Sequence, residues 1–308
     1  MNTPAFSSPP ATPPGGTWTL AGRTVPRFGY GAMQLAGPGV MGPPANHAGA
    51  MEVLREAVRL GISHIDTSDA YGPHIANELI RETLHPYPES LLIATKVGAE
   101  RDTDGGWPVS RGPAALRAQV HGNLRTLGVE RLDLVNLRMG DAGGALPGSL
   151  AEPLHTLVDL QQEGLIRSIG VSNVTEEQVA QAQGITDIVC VQNMYNLAHR
   201  HDDGLIDRLA GEGIAYVPFF PLGGFTPLQS EALSRVAARR SASPLSVALA
   251  WLLQRSPNIL LIAGTSSAEH LRANVAGAGV QLTVEDVAEL DGIAGGRGLG
   301  GADHDQDG

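Results

Sequence analysis

Eight times along this chain a short apolar run is followed by a segment of helical periodicity, and no other feature limits its fold so sharply. The runs are Tyr30–Leu35, His64–Thr67, Leu91–Lys96, Leu132–Leu137, Ser168–Val171, Ile188–Gln192, Ala215–Phe219 and Ile259–Ala263. Helices are expected at Ala48–Leu60, Ala76–Leu84, Pro113–Thr126, Ser149–Gln162, Asp202–Ala210, Ser230–Arg239, Pro244–Gln254, Ala268–Asn274 and Thr283–Ile293. The punctuation agrees. Pro113 stands at a helix start, Gly128 and Gly164 just past helix ends, and Thr175-Glu176-Glu177-Gln178 reads as a capping box opening one more helix. Strand–helix alternation calls for parallel strands joined by helical crossovers. Eight such units close most simply into a (β/α)8 TIM barrel. An open doubly wound sheet would favour a Gly-x-Gly-x-x-Gly turn after the first strand. Gly29-Tyr30-Gly31 lacks the third glycine and does not sit at a strand-to-helix turn. Two short strands within Thr17–Phe28, around Ala21-Gly22-Arg23, add an N-terminal β-hairpin, and the barrel carries extra helices.

The 308 residues suit one such domain, placed at 17–294, with a Pro-, Ser- and Thr-rich tail at 1–16 and a Gly- and Asp-rich tail at 295–308. A formal net charge of −11 speaks against a nucleic-acid-binding surface. No apolar run approaches the length needed to span a membrane. The N-terminus lacks the charged and apolar regions of a signal peptide. The single cysteine, Cys190, lies in an apolar run and reads as a small buried hydrophobe. A cytoplasmic setting is therefore expected, and the oligomeric state stays open. His199, His201, Asp202 and Asp203 crowd one loop. With no third ligand at a recognised spacing they read as a solvated loop, and no metal is expected.

Lys96 is the only lysine among 21 basic residues, in a chain that otherwise uses arginine for surface charge. It ends the third strand. In a barrel of this kind reactive groups stand at the C-terminal strand ends. Asp66 ends the neighbouring second strand, and Tyr71 follows in the next loop. Adjacent strands lie about 4.8 Å apart, so Asp66 and Lys96 can meet above the barrel. A phenol titrates near about 10 and is a weak acid at neutral pH; a nearby ammonium stabilises its phenolate. Asp66 would hold that ammonium and limit its desolvation cost. The three together make a proton donor. His64, two residues before Asp66, points the same way and reads as a packed barrel histidine.

Asp66-Thr67-Ser68-Asp69-Ala70-Tyr71-Gly72 with Thr95-Lys96 resembles the aldo-keto reductase signature. Ile169-Gly170-Val171-Ser172-Asn173, Val191-Gln192-Asn193-Met194-Tyr195-Asn196 and Ile262-Ala263-Gly264-Thr265-Ser266 extend the resemblance across the barrel. It implies an oxidoreductase that transfers a hydride from NADPH to an aldehyde. Tyr71, Lys96 and Asp66 would be catalytic. Met33, Asp66, Ser172, Asn173, Gln192, Phe219, Pro221, Leu222, Gly223, Gly264, Thr265, Ser266, His270, Arg272 and Asn274 would hold the cofactor. Among these, Ser172, Asn173 and Gln192 would bind the carboxamide, and Phe219 would stack on the nicotinamide ring.

Two departures accompany the resemblance. Arg138 ends the fourth strand where the family usually has histidine; it can polarise a carbonyl or bind an acidic hydroxyl, but it stays charged. Gly264 and His270 occupy positions where many members place Lys and Arg around the adenosine 2′-phosphate, leaving Arg272 as the nearby charge; NADH is the less favoured cofactor. Gly29–Gly39, Val135-Asn136-Leu137-Arg138 and Pro218–Leu228 are similar to the bacterial pyridoxal reductases within the family, implying pyridoxal as substrate, with Arg138 on its phenolic oxygen and Trp107 covering its ring. A broad-specificity aldehyde or ketone reductase, and a cofactor-binding regulatory subunit on the same fold, remain alternatives.

Overall fold

The computed structural model describes residues 13–141, 144–221, 223 and 230–295. Strands β1 (Thr17–Leu20) and β2 (Arg23–Pro26) form the antiparallel hairpin, turned by Ala21 and Gly22, both at positive φ. The remaining strands are β3 (Phe28–Gly31), β4 (His64–Asp66), β5 (Leu92–Val97), β6 (Leu132–Arg138), β7 (Ile166–Ser172), β8 (Ile188–Gln192), β9 (Ala215–Tyr216) and β10 (Leu261–Ile262). They pair in parallel in the order β10-β3-β4-β5-β6-β7-β8-β9. The two ends of that order also meet: Tyr216 N donates to Asn258 O at 2.9 Å, and Leu260 N to Tyr216 O at 2.9 Å. The sheet therefore closes into the (β/α)8 barrel.

The helices are α1 (His47–Arg59), α2 (Ile75–Leu84), α3 (Pro113–Leu127), α4 (Ala151–Gln162), α5 (Glu176–Gln183), α6 (Asp203–Gly211), α7 (Glu231–Arg239), α8 (Pro244–Arg255), α9 (Ala268–Gly277) and α10 (Val284–Gly295). Local chemistry sets their ends. In α5, Thr175 and Gln178 form the reciprocal capping box; α3 opens on Pro113 and stops at Gly128 in the left-handed conformation. α1 buries Ala50, Val53, Leu54 and Ala57, the three-and-four spacing of a helix laid on a core. α8 is buried from Val247 to Leu253. No described helix is long and apolar enough to cross a membrane.

Several strand boundaries differ from expectation, the first barrel strand most. The first barrel strand ends at Gly31, and Ala32–Leu35 coil into a 3-10 turn. An apolar run by itself does not distinguish a strand from a tight helical turn, and Met33 consequently stands beyond the strand, above the barrel. The N-terminal tail was expected to reach residue 16. Residues 13–16 are instead tied to the barrel, with Arg27 N donating to Gly16 O at 3.0 Å and Arg27 Nη1 to Gly15 O at 2.9 Å. Residues 1–12 and 296–308, the rest of the two expected tails, lie outside the described residues.

Alternation along each strand decides what enters the barrel. Leu92, Ala94, Leu134, Cys190, Ala215, Val217 and Leu260 cluster inside it, and Leu20 and Val25 of the hairpin join that cluster. Continuing the same alternation upward puts Lys96 after Ala94, Asn136 and Arg138 after Leu134, and Gln192 after Cys190. Two interior glycines make room for polar neighbours. A Cβ at Gly29 would stand 2.0 Å from His64 Nε2, and one at Gly170 would stand 2.1 Å from Asn136 Oδ1. His64 is thus packed within the barrel, and burial pushes its pKa down to about 4, which keeps the imidazole neutral.

Candidate active site

The rim of the barrel collects the expected catalytic residues. Lys96 Nζ donates to Asp66 Oδ1 in a close ion pair and to Thr67 O at 3.1 Å. Burial disfavours the ammonium, but the charge and hydrogen bond of Asp66, with the field of Tyr71, outweigh it and raise the Lys96 pKa. The ammonium lies 5.2 Å from the centroid of the Tyr71 ring. From across the barrel, Gln192 Nε2 donates to the other Asp66 oxygen at 2.9 Å. Asp66 is held from two sides and in turn fixes Lys96.

A polar network behind β4 and β5 secures this arrangement, and sequence reasoning did not find it. Thr67 Oγ1 donates to Asn77 Oδ1 (2.9 Å), Asn77 Nδ2 to Asn123 Oδ1 (2.9 Å), and Thr95 Oγ1 to the same Asn123 oxygen (2.6 Å). Asn77 on α2 and Asn123 on α3 are fully buried. They lock the residues following Asp66 and preceding Lys96. The available signal was asparagine at an inward position of each helix, Asn77 on α2 and Asn123 on α3.

Tyr71, Lys96, Trp107 and Arg138 line one small pocket, with Ser68, Ala70, Val97 and Ala99. Trp107 meets Tyr71 edge-to-face at 6.1 Å between centroids, and the Arg138 guanidinium lies 5.2 Å from the Trp107 ring. Burial lowers the Arg138 pKa, opposed by Tyr71 and Asp141; a guanidinium so placed still carries its charge. Arg138, Ser172 and Gln192 stand side by side at the ends of β6, β7 and β8 in direct register.

A larger cleft opens beside this pocket. Met33, Gln34, Gly37, Gly39, Phe220 and Ser266 are on its walls. Phe219 was the expected aromatic, but its neighbour Phe220 lines the cleft; Phe219 packs against it edge-on at 5.3 Å. Phe220 is held at φ 54, unusual for a bulky residue, with its carbonyl accepting from Asn196 Nδ2 and from Gly223 N, each at 3.0 Å. Pro221 follows it half-buried, and Leu222 lies outside the described residues. Thr265 is buried and its carbonyl accepts the Tyr30 hydroxyl at 2.7 Å; Asn274 is also buried, whereas His270 is exposed on the first turn of α9.

Several expectations change in detail. Arg272 Nε donates to the buried Glu56 at 2.6 Å, so its charge is matched by a carboxylate 216 residues away in sequence. Gly264 is glycine for a local reason: a Cβ would stand 2.6 Å from Gly31 O, where β3 and the end of β10 converge. Asn173 already donates Nδ2 to Asp141 O at 2.7 Å, leaving its amide oxygen for any ligand. Asp202 is buried, and Asp203, though partly exposed, is tied into ion pairs. Asp202 bonds Asn193 (2.7 Å) and Tyr216 (2.8 Å), and Asp203 takes Tyr195, Arg200 and Arg255. His201 is exposed beside Asp202. Among the described residues no group of three or more His, Cys, Asp or Glu could hold a metal ion. Cys190 is buried, which pushes its thiol pKa up.

One buried atom matters for cofactor fit. Gln192 Oε1 has no hydrogen-bond partner among the described residues. A buried unpaired amide oxygen at the barrel mouth is an acceptor awaiting a donor, and a nicotinamide carboxamide carries one.

A lysine fixed by a carboxylate next to a phenol, at the rim of a parallel barrel, can deliver a proton to a carbonyl oxygen; this is the site of a carbonyl oxidoreductase. The chain belongs to the aldo/keto reductase family, whose model matches residues 27–294. It is 59% identical over 280 residues to pyridoxine 4-dehydrogenase of Escherichia coli (strain K12), covering 90% of this chain and 98% of that protein. An uncharacterized oxidoreductase of Schizosaccharomyces pombe is 36% identical over 292 residues, covering 94% of each chain. Among solved structures, a thermostable aldo-keto reductase in complex with the inhibitor epalrestat superposes with a TM-score of 0.76 at 28% identity, covering 90% of this chain and 99% of that one. An aldo/keto reductase from Klebsiella pneumoniae in complex with NADP and acetate gives 0.74 at 25% identity, covering 90% and 95%.

Proposed function

We propose that this chain is an NADPH-dependent aldehyde reductase whose substrate is pyridoxal, reduced to pyridoxine. The observation that carries the chemistry is the Lys96–Asp66 pair beside Tyr71, with Asp66 held on its far side by Gln192. The relative that supports the substrate is pyridoxine 4-dehydrogenase, alike over nearly its whole length. The neighbour solved with NADP supports the cofactor.

When bound, NADPH supplies the hydride. Gln192 Oε1 would accept from its carboxamide, with Ser172 and the Asn173 oxygen beside Gln192 to complete that contact. Phe220, backed by Phe219, and Met33 form the apolar wall of the cleft. No Lys or Arg is on that wall among the described residues. Backbone N–H groups, Ser266 and the N-terminal turn of α9 would hold the phosphates.

Tyr71 donates its proton to the aldehyde oxygen. Lys96 stabilises the phenolate left behind, and Asp66 prevents the ammonium from turning away. General acid catalysis of this kind contributes roughly 10²–10⁴-fold. Arg138 holds the phenolic oxygen that lies beside the aldehyde of pyridoxal. Trp107 covers the ring and keeps water from the pocket.

The test is a turnover assay. Oxidation of NADPH is followed with pyridoxal and with a panel of aliphatic and aromatic aldehydes, ranked by kcat/KM. Pyridoxal is expected to head the ranking. A flat ranking overturns the substrate assignment in favour of a broad carbonyl reductase.

A further inference from the structure

Arg101 is absorbed by none of the roles above, yet it touches three parts of the site. Its guanidinium carbon lies 4.1 Å from the centroid of the Trp107 ring. Its Nη2 donates to Gly39 O at 2.7 Å, and its Nε faces Met41 Sδ at 3.3 Å. Gly39 lies on the wall of the proposed cofactor cleft. The next residues of that segment hydrogen-bond to Gly72, immediately after Tyr71: Gly72 N to Val40 O and Gly42 N to Gly72 O, each at 3.1 Å.

The ribbon that carries Arg101 and Trp107 is fixed at both ends. Glu100 N donates to Pro108 O (3.1 Å) and Ser110 N to Gly98 O (3.0 Å). Gln119 on α3 clamps the base, accepting from Gly98 N at 2.7 Å and donating to Ser110 O at 2.8 Å. At the tip, Asp102 Oδ1 accepts from Gly106 N at 2.6 Å and Asp104 N at 3.1 Å. A ribbon anchored at its base and knotted at its tip presents Arg101 and Trp107 as one unit. Arg101 is its only described side chain hydrogen-bonded to the 39–41 segment.

We propose that Arg101 is a positioning residue that joins the aldehyde pocket to the cofactor cleft. It presses Trp107 over Tyr71 with one face of its guanidinium and pins the cleft wall at Gly39 with its edge. Arginine suits both tasks at once, since its planar cation stacks on an indole while its N–H groups donate in the plane. Seating the cofactor against the 37–46 wall therefore also sets the height of the cover over the aldehyde. This rests on the reading of the site given under Proposed function.

Arg101→Met keeps the apolar stem and removes both the stack and the Gly39 bond. The expected result is a rise of roughly fivefold or more in KM for pyridoxal and in Kd for NADPH, the latter by equilibrium titration without substrate. Trp107→Ala is expected to raise the KM for pyridoxal and leave the NADPH Kd as in wild type. Arg101→Lys retains a donor for Gly39 but no planar stack, so it recovers NADPH affinity more than pyridoxal KM; it also serves as the readout if Arg101→Met lowers the Tm. An unchanged NADPH Kd in Arg101→Met, or the same loss in Trp107→Ala, overturns the link while wild-type turnover stands. Wild-type protein that fails to reduce pyridoxal removes the reading of the site, and the link falls with it.

Discussion

At the scale of single residues, the site depends on charges placed where burial works against them. Lys96 keeps its proton because Asp66 offsets burial. Asp69, three residues after Asp66, shows the opposite balance. Burial pushes its carboxyl pKa up to about 7, despite a hydrogen bond from Asn123. The folded protein thus holds a proton on Asp69 that the unfolded chain releases near the ordinary carboxylate value of about 3.9. Stability from this group is present at low pH and is lost as pH rises from about 4 to about 7. Asp69→Asn should therefore raise the Tm relative to wild type by a margin that grows across that window and then levels off. A margin independent of pH would contradict the assignment. Arg138 offers a second test. If it holds the phenolic oxygen of pyridoxal, Arg138→Ala should reduce kcat/KM for pyridoxal by roughly tenfold or more, as expected for losing a charged hydrogen bond. An aldehyde lacking a ring hydroxyl should lose much less, and equal losses for both substrates would remove that role.

At the scale of elements, the barrel works because its interior layers are unequal. Gly29 on β3 and Gly170 on β7 give up side-chain volume that His64 on β4 and Asn136 on β6 occupy. Gly29→Ala would drive a methyl into the His64 ring. Urea unfolding should show a loss of about 1–3 kcal/mol, the usual size of core overpacking; an unchanged midpoint would mean that His64 has room to move. This pairing also marks what the sequence could disclose. Strand ends were enough to place Asp66 and Lys96 on the rim of a barrel, while Arg138 and Gln192 were placed by the resemblance to the family. The hairpin was legible from its turn, and the α5 cap from Thr175 and Gln178. Contacts made by distant segments were not. Nothing local told that Arg272 would meet Glu56, or that Asn77 and Asn123 would join across two helices behind the Asp66–Lys96 pair. Phe219 and Phe220 are adjacent and chemically alike. The left-handed backbone at Phe220, which sets the one lining the cleft, depends on hydrogen bonds from Asn196 and Gly223 rather than on residue type.

At the scale of the molecule, closure is what turns a list of strand ends into a site. Asp66 and Gln192 are 126 residues apart and meet because the sheet curls until β4 and β8 face each other over one mouth. The hairpin fills the opposite end with Leu20 and Val25, leaving the C-terminal rim as the open one. The ribbon carrying Trp107 and the segment carrying Gly39 cover part of that rim from two sides. In the proposed mechanism the whole arrangement serves the hydroxyl of Tyr71. Its direct test is the turnover of pyridoxal by Tyr71→Phe, measured beside the Kd for NADPH. The account predicts a fall in kcat of roughly a hundredfold or more with cofactor affinity retained; turnover equal to wild type in that variant would contradict it.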